Sequence, residues 1–379
     1  KTKRAIYGPF ATYVTPKMYS GSDVLDNSYL SEVDLTNATR LTTIGERAFA
    51  DCDLMRKIDM FNTNVKNIDK EAFYDCDNLH NVTFSTSLEN VGESAFNGSA
   101  IAATTLPGTL QKLGYKAFYD CDYMTSLTIN PGKDDIICED SDGECRTFDS
   151  CSELTRLYLG KNMTYKEGSE KASPFYDSYF QQVVIDNEVT QLGQYMFQHS
   201  NRLKSMSIGS GIKEIPNNCF NETDEVTQFN IVDCEEPITL GNSCRSFKAN
   251  TMYVGRNIND PDNIPSGGNA LQFLQYGKFA DRVGSNSYAN CSQLKSVILP
   301  PNTTLESNAF VNCGIQEMYI QGDATFQSEA IKNCNDFEEL TVVGKLTLDE
   351  NAFMIPDNGK AIKIINVFFR EDPKDESHA

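Results

Sequence analysis

One phrase limits what this chain can fold into. Residues 71–79 read EAFYDCDNL, and residues 116–124 read KAFYDCDYM. Aligned on the phenylalanine, the pattern surrounds Phe49, Phe73, Phe96 and Phe118 at steps of 24, 23 and 22 residues. It returns at Phe197, Phe220, Tyr288, Phe310, Ile331 and Phe353, with weaker copies around Phe148, Phe175 and Phe247, about thirteen units in all. A unit this short cannot bury a core of its own, so neighbouring units must stack into a solenoid.

After each anchor the apolar residues alternate: Ile58 and Met60, Val82 and Phe84, Leu127 and Ile129, Leu157 and Leu159, Met206 and Ile208, Val297 and Leu299. Period-two alternation predicts one short strand per coil, and strands repeated once per coil stack in parallel. The Ala-Phe anchor then packs inward from the opposite side, each ring against the next. A glycine before it (Gly45, Gly92, Gly114, Gly193) is expected to permit the turn.

The run IGERAFADCDLMRKIDM at 44–60 and its copies resemble the BspA-type leucine-rich repeat, whose pattern is roughly I-G-x-x-A-F-x-x-C-x-x-L-x-x-V-x-I. The resemblance covers about residues 30 to 356. It implies an α/β-type repeat solenoid: a right-handed leucine-rich-repeat horseshoe with a parallel sheet on its concave face and short helical or 3₁₀ turns on its convex face. Members are mostly surface or secreted proteins of host-associated bacteria and some protozoa, implicated in adhesion. The resemblance therefore implies a cell-surface or extracellular protein, with any anchor or signal upstream of Lys1.

Residues 1–29 lack the repeat and are expected to form an N-terminal cap. Residues 357–379 are expected to supply a cap strand, AIKIINVFF, and an acidic tail, REDPKDESHA. Two long steps mark insertions near 130–147 and 255–282, which in solenoids often carry binding.

A net charge of −20, from 33 basic and 53 acidic residues, argues against nucleic acid as a partner, since phosphate tracking needs clustered Lys and Arg. No apolar run reaches the roughly 18–20 residues that span a bilayer. Cys52, Cys76, Cys121, Cys151, Cys291, Cys313 and Cys334 share one repeat position, filled elsewhere by Ser99, Ser200 and Thr223. A small residue is demanded there, and a ladder of buried free thiols is expected. Cys138 and Cys145, off that position, are the candidate disulfide.

Chemistry finds little foothold. No C-x-x-C pair is present, and His80, His199 and His378 are far apart, so no metal site is expected. The three Asp-Cys-Asp phrases at 51–53, 75–77 and 120–122 read as turn residues. His199 should sit on the outer turn, away from any fixed nucleophile, and no hydrolase, nucleotide-binding or zinc-protease motif occurs. The reading is of a protein without catalysis or cofactor.

What the core does not need is more informative. On the concave face the residue between each inward pair points outward, and Tyr158, Tyr253, Ile298 and Tyr319 occupy such positions. Tyrosine is favoured at interface anchors. These four are the candidate partner-binding residues, facing a host or microbial surface protein and working as a monomer. The alternatives are a glycan module using the tyrosines as stacking platforms, and a passive spacer within a larger surface protein.

Overall fold

A computed structural model of the chain describes residues 3–17, 29–166, 168–265, 270–354 and 362–366. It divides into two compact units, residues 1–226 with 241–243, and residues 227–240 with 244–379.

The first unit is a parallel-β solenoid whose coils each carry a front strand, a side strand and an anchor turn. Front strands Ala103–Leu106, Ser126–Ile129, Arg156–Leu159, Gln182–Ile185 and Ser205–Ile208 lie in parallel order. Thr104, Leu127, Leu157, Val183 and Met206 fall on one register line and are buried, as the alternation requires. Earlier in the chain the row is in separate pairs: Arg4–Ile6 with Glu32–Asp34, and Lys57–Asp59 with Asn81–Thr83. The described part of residues 1–29 thus already contributes strands. Side strands run from Tyr13–Val14 through Thr43–Ile44, Asn67–Ile68, Asn90–Val91, Lys112–Leu113 and Ile136–Cys138 to Met163–Thr164.

The anchor turns are not helical, which corrects the helical convex face that the resemblance implied. Arg47 and Asp51, Glu71 and Asp75, and Lys116 and Asp120 all have φ between 50° and 58°, so left-handed residues four apart interrupt any right-handed run. The backbone instead bonds from coil to coil. The N–H groups of Arg47, Phe49 and Asp51 donate to the carbonyls of Lys70, Ala72 and Tyr74 at 3.0, 2.8 and 2.8 Å. The following coil repeats this from Glu71, Phe73 and Asp75 to Glu93, Ala95 and Asn97. The outer side is a third hydrogen-bonded ladder. No α-helix occurs among the described residues, which contain short 3₁₀ turns at Glu170–Ala172, Asn242–Ser246 and Pro261–Asn263.

The core is the expected ring stack. Phe49, Phe73, Phe96, Phe118, Phe148, Phe175, Phe197 and Phe220 follow one another with centroids 4.9 to 5.7 Å apart and planes within 21°. The cysteine ladder has a sharper cause than size. Its side chains donate back to the anchor carbonyl of the preceding coil: Cys76 Sγ to Phe49 O (3.1 Å), Cys121 Sγ to Phe96 O (3.2 Å) and Cys151 Sγ to Phe118 O (3.1 Å). Ser99 and Thr223 do the same to Phe73 O and Phe197 O, both at 2.7 Å, while Ser200 Oγ at the same position pairs with Ser178 Oγ at 2.8 Å. The position requires a small donor, which Cys, Ser and Thr supply and Ala does not.

The glycines act differently from expectation. A Cβ at Gly45 would lie 2.5 Å from Val14 O, and one at Gly114 2.4 Å from Glu93 N. Neither has a left-handed φ. What each allows is close approach of the neighbouring coil.

In the second unit the front strands Gln228–Ile231, Thr251–Arg256, Phe273–Phe279, Ser296–Leu299, Glu317–Ile320, Glu339–Val342 and Lys363–Asn366 run in parallel order. Side strands Arg282–Val283, Thr303–Leu305, Ala324–Phe326 and Leu346–Leu348 form a second sheet, and Phe310–Val311, Ile331–Lys332 and Phe353–Met354 a third. The stretch 255–282, expected as an insertion, contains a front strand, Phe273–Phe279, paired on both sides. Its coil has no Phe anchor, so anchor spacing passed over it. The strand at Lys363–Asn366 lies in the expected cap region, while the tail at 370–379 falls outside the described residues.

Candidate functional site

The outward positions of the second unit's front row form a register line: Asn230, Tyr253, Gln275, Ile298, Tyr319, Thr341 and Ile365. Ile298 and Tyr319 are therefore direct neighbours, and Gln275 separates them from Tyr253. Sequence reasoning missed Gln275 because its coil lacks an anchor. The alternation Leu274, Gln275, Tyr276, with both flanking residues buried, is the signal that identifies it.

The three side chains differ in freedom. Tyr319 is 42% exposed, a large ring that the core does not claim. Ile298 is half-buried beside it. Tyr253 is tethered: its hydroxyl donates to Asp233 Oδ1 at 2.8 Å, and burial followed by that carboxylate pushes its pKa up to about 12. Gly277 makes room for this pair, since a Cβ there would come 2.4 Å from the Tyr253 hydroxyl and 2.1 Å from Asp233 Oδ1. Tyr158 belongs to the first unit, between Thr128 and Val184 on its front row. Its hydroxyl donates to the Asp186 carboxylate, which holds the phenol above its usual range.

The 130–147 insertion contains the side strand Ile136–Cys138 and, after it, a tight turn. Ser141 and Glu144 bridge across Asp142 and Gly143, both with positive φ, as a tight two-residue turn requires. Beside it is a cavity of about 700 Å³ lined by residues including Tyr115, Cys138, Glu139, Asp140, Tyr165 and Lys166. Cys138 and Cys145 are buried free thiols lying against each other, and the Cys145 thiol together with burial pushes Cys138 up. His199 sits on an outer turn with φ 60°, its Nδ1 3.1 Å from the Glu222 carboxylate and its ring edge-on to Tyr176. Asp51, Asp75 and Asp120 are the left-handed residues of their turns. No helix of the described residues is long and apolar enough to cross a membrane.

A family model described as the BspA type leucine rich repeat region matches residues 20–137, 143–251 and 268–367, most of the chain. The chain belongs to the BspA-type leucine-rich-repeat family. No curated protein matches it. Among solved structures, BspA-type coils of this chain are similar to a leucine-rich repeat protein from Bacteroides ovatus at 14% identity, covering 97% of this chain and 92% of that one, with a TM-score of 0.39. A leucine-rich repeat protein from Eubacterium ventriosum is 18% identical over 86% of this chain and 83% of its own, TM-score 0.34. A leucine rich cell surface protein from Faecalibacterium prausnitzii is 14% identical over 92% and 79%, TM-score 0.27.

Proposed function

We propose that this BspA-type protein is a non-enzymatic adhesin or receptor module, carried on a cell surface or secreted, that binds a protein partner through its front row. On this reading the array curves as a horseshoe with the front row on the concave side, residues 1–29 and 357–379 close its ends, and the chain works as a monomer. The partner is a host or microbial surface protein. One observation carries the proposal: Tyr319 stands 42% exposed next to Ile298 on a sheet whose core does not need either outward position. Tyrosine is among the residues enriched at the energetic centres of protein interfaces. Tyr253 and Tyr158, tethered to Asp233 and Asp186, would present ring faces with their rotamers fixed, which lowers the entropy lost on docking.

The test is a binding screen of the purified protein against extracellular-matrix and microbial surface proteins, beside Tyr319→Ala and Ile298→Asp variants. Binding that disappears in both variants, with thermal unfolding unchanged, supports the reading. A folded protein that retains no partner in the screen sinks it and leaves the spacer role.

A further inference from the structure

The front row of the first unit also carries a cleft, one strand from Tyr158, whose lining differs from the rest of the row. Between front strands Asn81–Thr83 and Ala103–Leu106 no ladder pairing joins the sheet among the described residues. A cleft of about 390 Å³ opens there, within the range of small-ligand sites of about 300–1,000 Å³. Val82, which by alternation should be as buried as Ile58 and Leu127, is only half-buried and lines it.

Its lining has a distinct chemistry. None of the lining residues is ionisable, on a chain of net charge −20. Thr83, Thr86, Thr105, Ser126 and Thr128 bring hydroxyls, and Asn130 a carboxamide. Phe61 stands at the lip with 56% of its surface exposed. The Asp59 carboxylate caps its backbone N–H at 3.0 Å, fixing the turn that presents the ring.

The geometry points to a subsite for a neutral saccharide, with one pyranose ring stacked on Phe61 and its hydroxyls meeting those of Thr83, Thr105 and Thr128. Hydroxyl groups donate and accept, so they match sugar hydroxyls in either direction, whereas a phosphate or carboxylate ligand would need a cation that this lining lacks. An aromatic ring beside such groups supplies the apolar face that a pyranose also presents.

The experiment is a printed array of neutral and of sialylated or sulfated oligosaccharides, followed by calorimetry with the best neutral oligosaccharide. Wild-type protein should retain neutral oligosaccharides, and Phe61→Ala and Thr105→Val should each weaken the affinity about tenfold, as loss of one stacked ring or one hydrogen bond does. Thr105→Val, at an exposed position, should leave the melting temperature unchanged while it lowers binding, which separates a ligand role from a folding role. Retention of acidic oligosaccharides alone, no retention of any, or unchanged affinity in either variant overturns the assignment.

Discussion

Asp75 holds its place by backbone geometry and pays in electrostatics. It sits in the left-handed position of its turn, where Asn and Asp are favoured, with φ 50°. Burial, and then the carboxylates of Asp51, Asp77, Asp120 and Asp53, raise its pKa to about 6. The folded state therefore binds its proton more tightly than the unfolded state does, and stability is lost as pH rises from about 4 through about 6. Asp75→Asn should stabilise the protein at pH 7.5 and have little effect near pH 4, which melting curves at the two pH values would show. The second unit already uses this solution: Asn312 Nδ2 donates to Asn290 Oδ1 at 2.9 Å and Asn333 Nδ2 to Asn312 Oδ1 at 3.0 Å, all three at left-handed positions. At the thiol position Cys121→Ser should be nearly neutral in stability. Cys121→Ala should cost about 1 kcal/mol, because the Phe96 carbonyl loses the thiol and keeps only the Ser99 N–H as donor.

A coil is held by what lies above and below it. Phe96 stacks on Phe73 at 4.9 Å and on Phe118 at 5.1 Å, with Phe84 edge-on at 5.6 Å. Phe96→Ala should cost about 3–5 kcal/mol in urea unfolding, since neither neighbour can move to fill the gap without breaking its own stack. The ring ladder and the small-residue position of the thiols were legible in the sequence because both recur once per unit. The donor role of that position was not, since it depends on the carbonyl of the preceding coil. Nor was the outer ladder. Its left-handed positions include Arg47, Glu71 and Lys116, ordinary helix formers whose intrinsic preference gives way to three backbone bonds per coil. Outward placement of Tyr253, Ile298 and Tyr319 follows from period two alone. The tethers to Asp233 and Asp186 do not, because they depend on which coils the stack makes adjacent. The cleft beside Phe61 was equally hidden, being a break in pairing rather than a pattern of residues.

Over the whole molecule, stability is a sum of many nearest-neighbour interfaces rather than the property of one core. Thiol chemistry should follow that layout. Burial pushes Cys52 up to about 12 and Cys76 and Cys121 well above the usual thiol range. Iodoacetamide should therefore modify the half-buried Cys234 long before Cys76 or Cys121, with all three reacting alike once the chain is unfolded, as peptide mass mapping would show. A chain with twelve cysteines would ordinarily be read for its redox surroundings, many in a secreted protein suggesting bridges and few suggesting none. Here a thiol in the ladder is one of three interchangeable ways to donate a proton to the carbonyl below it. The fold is then indifferent to whether a coil carries sulfur or oxygen at that position, and the number of ladder cysteines carries no report on the compartment in which the protein works.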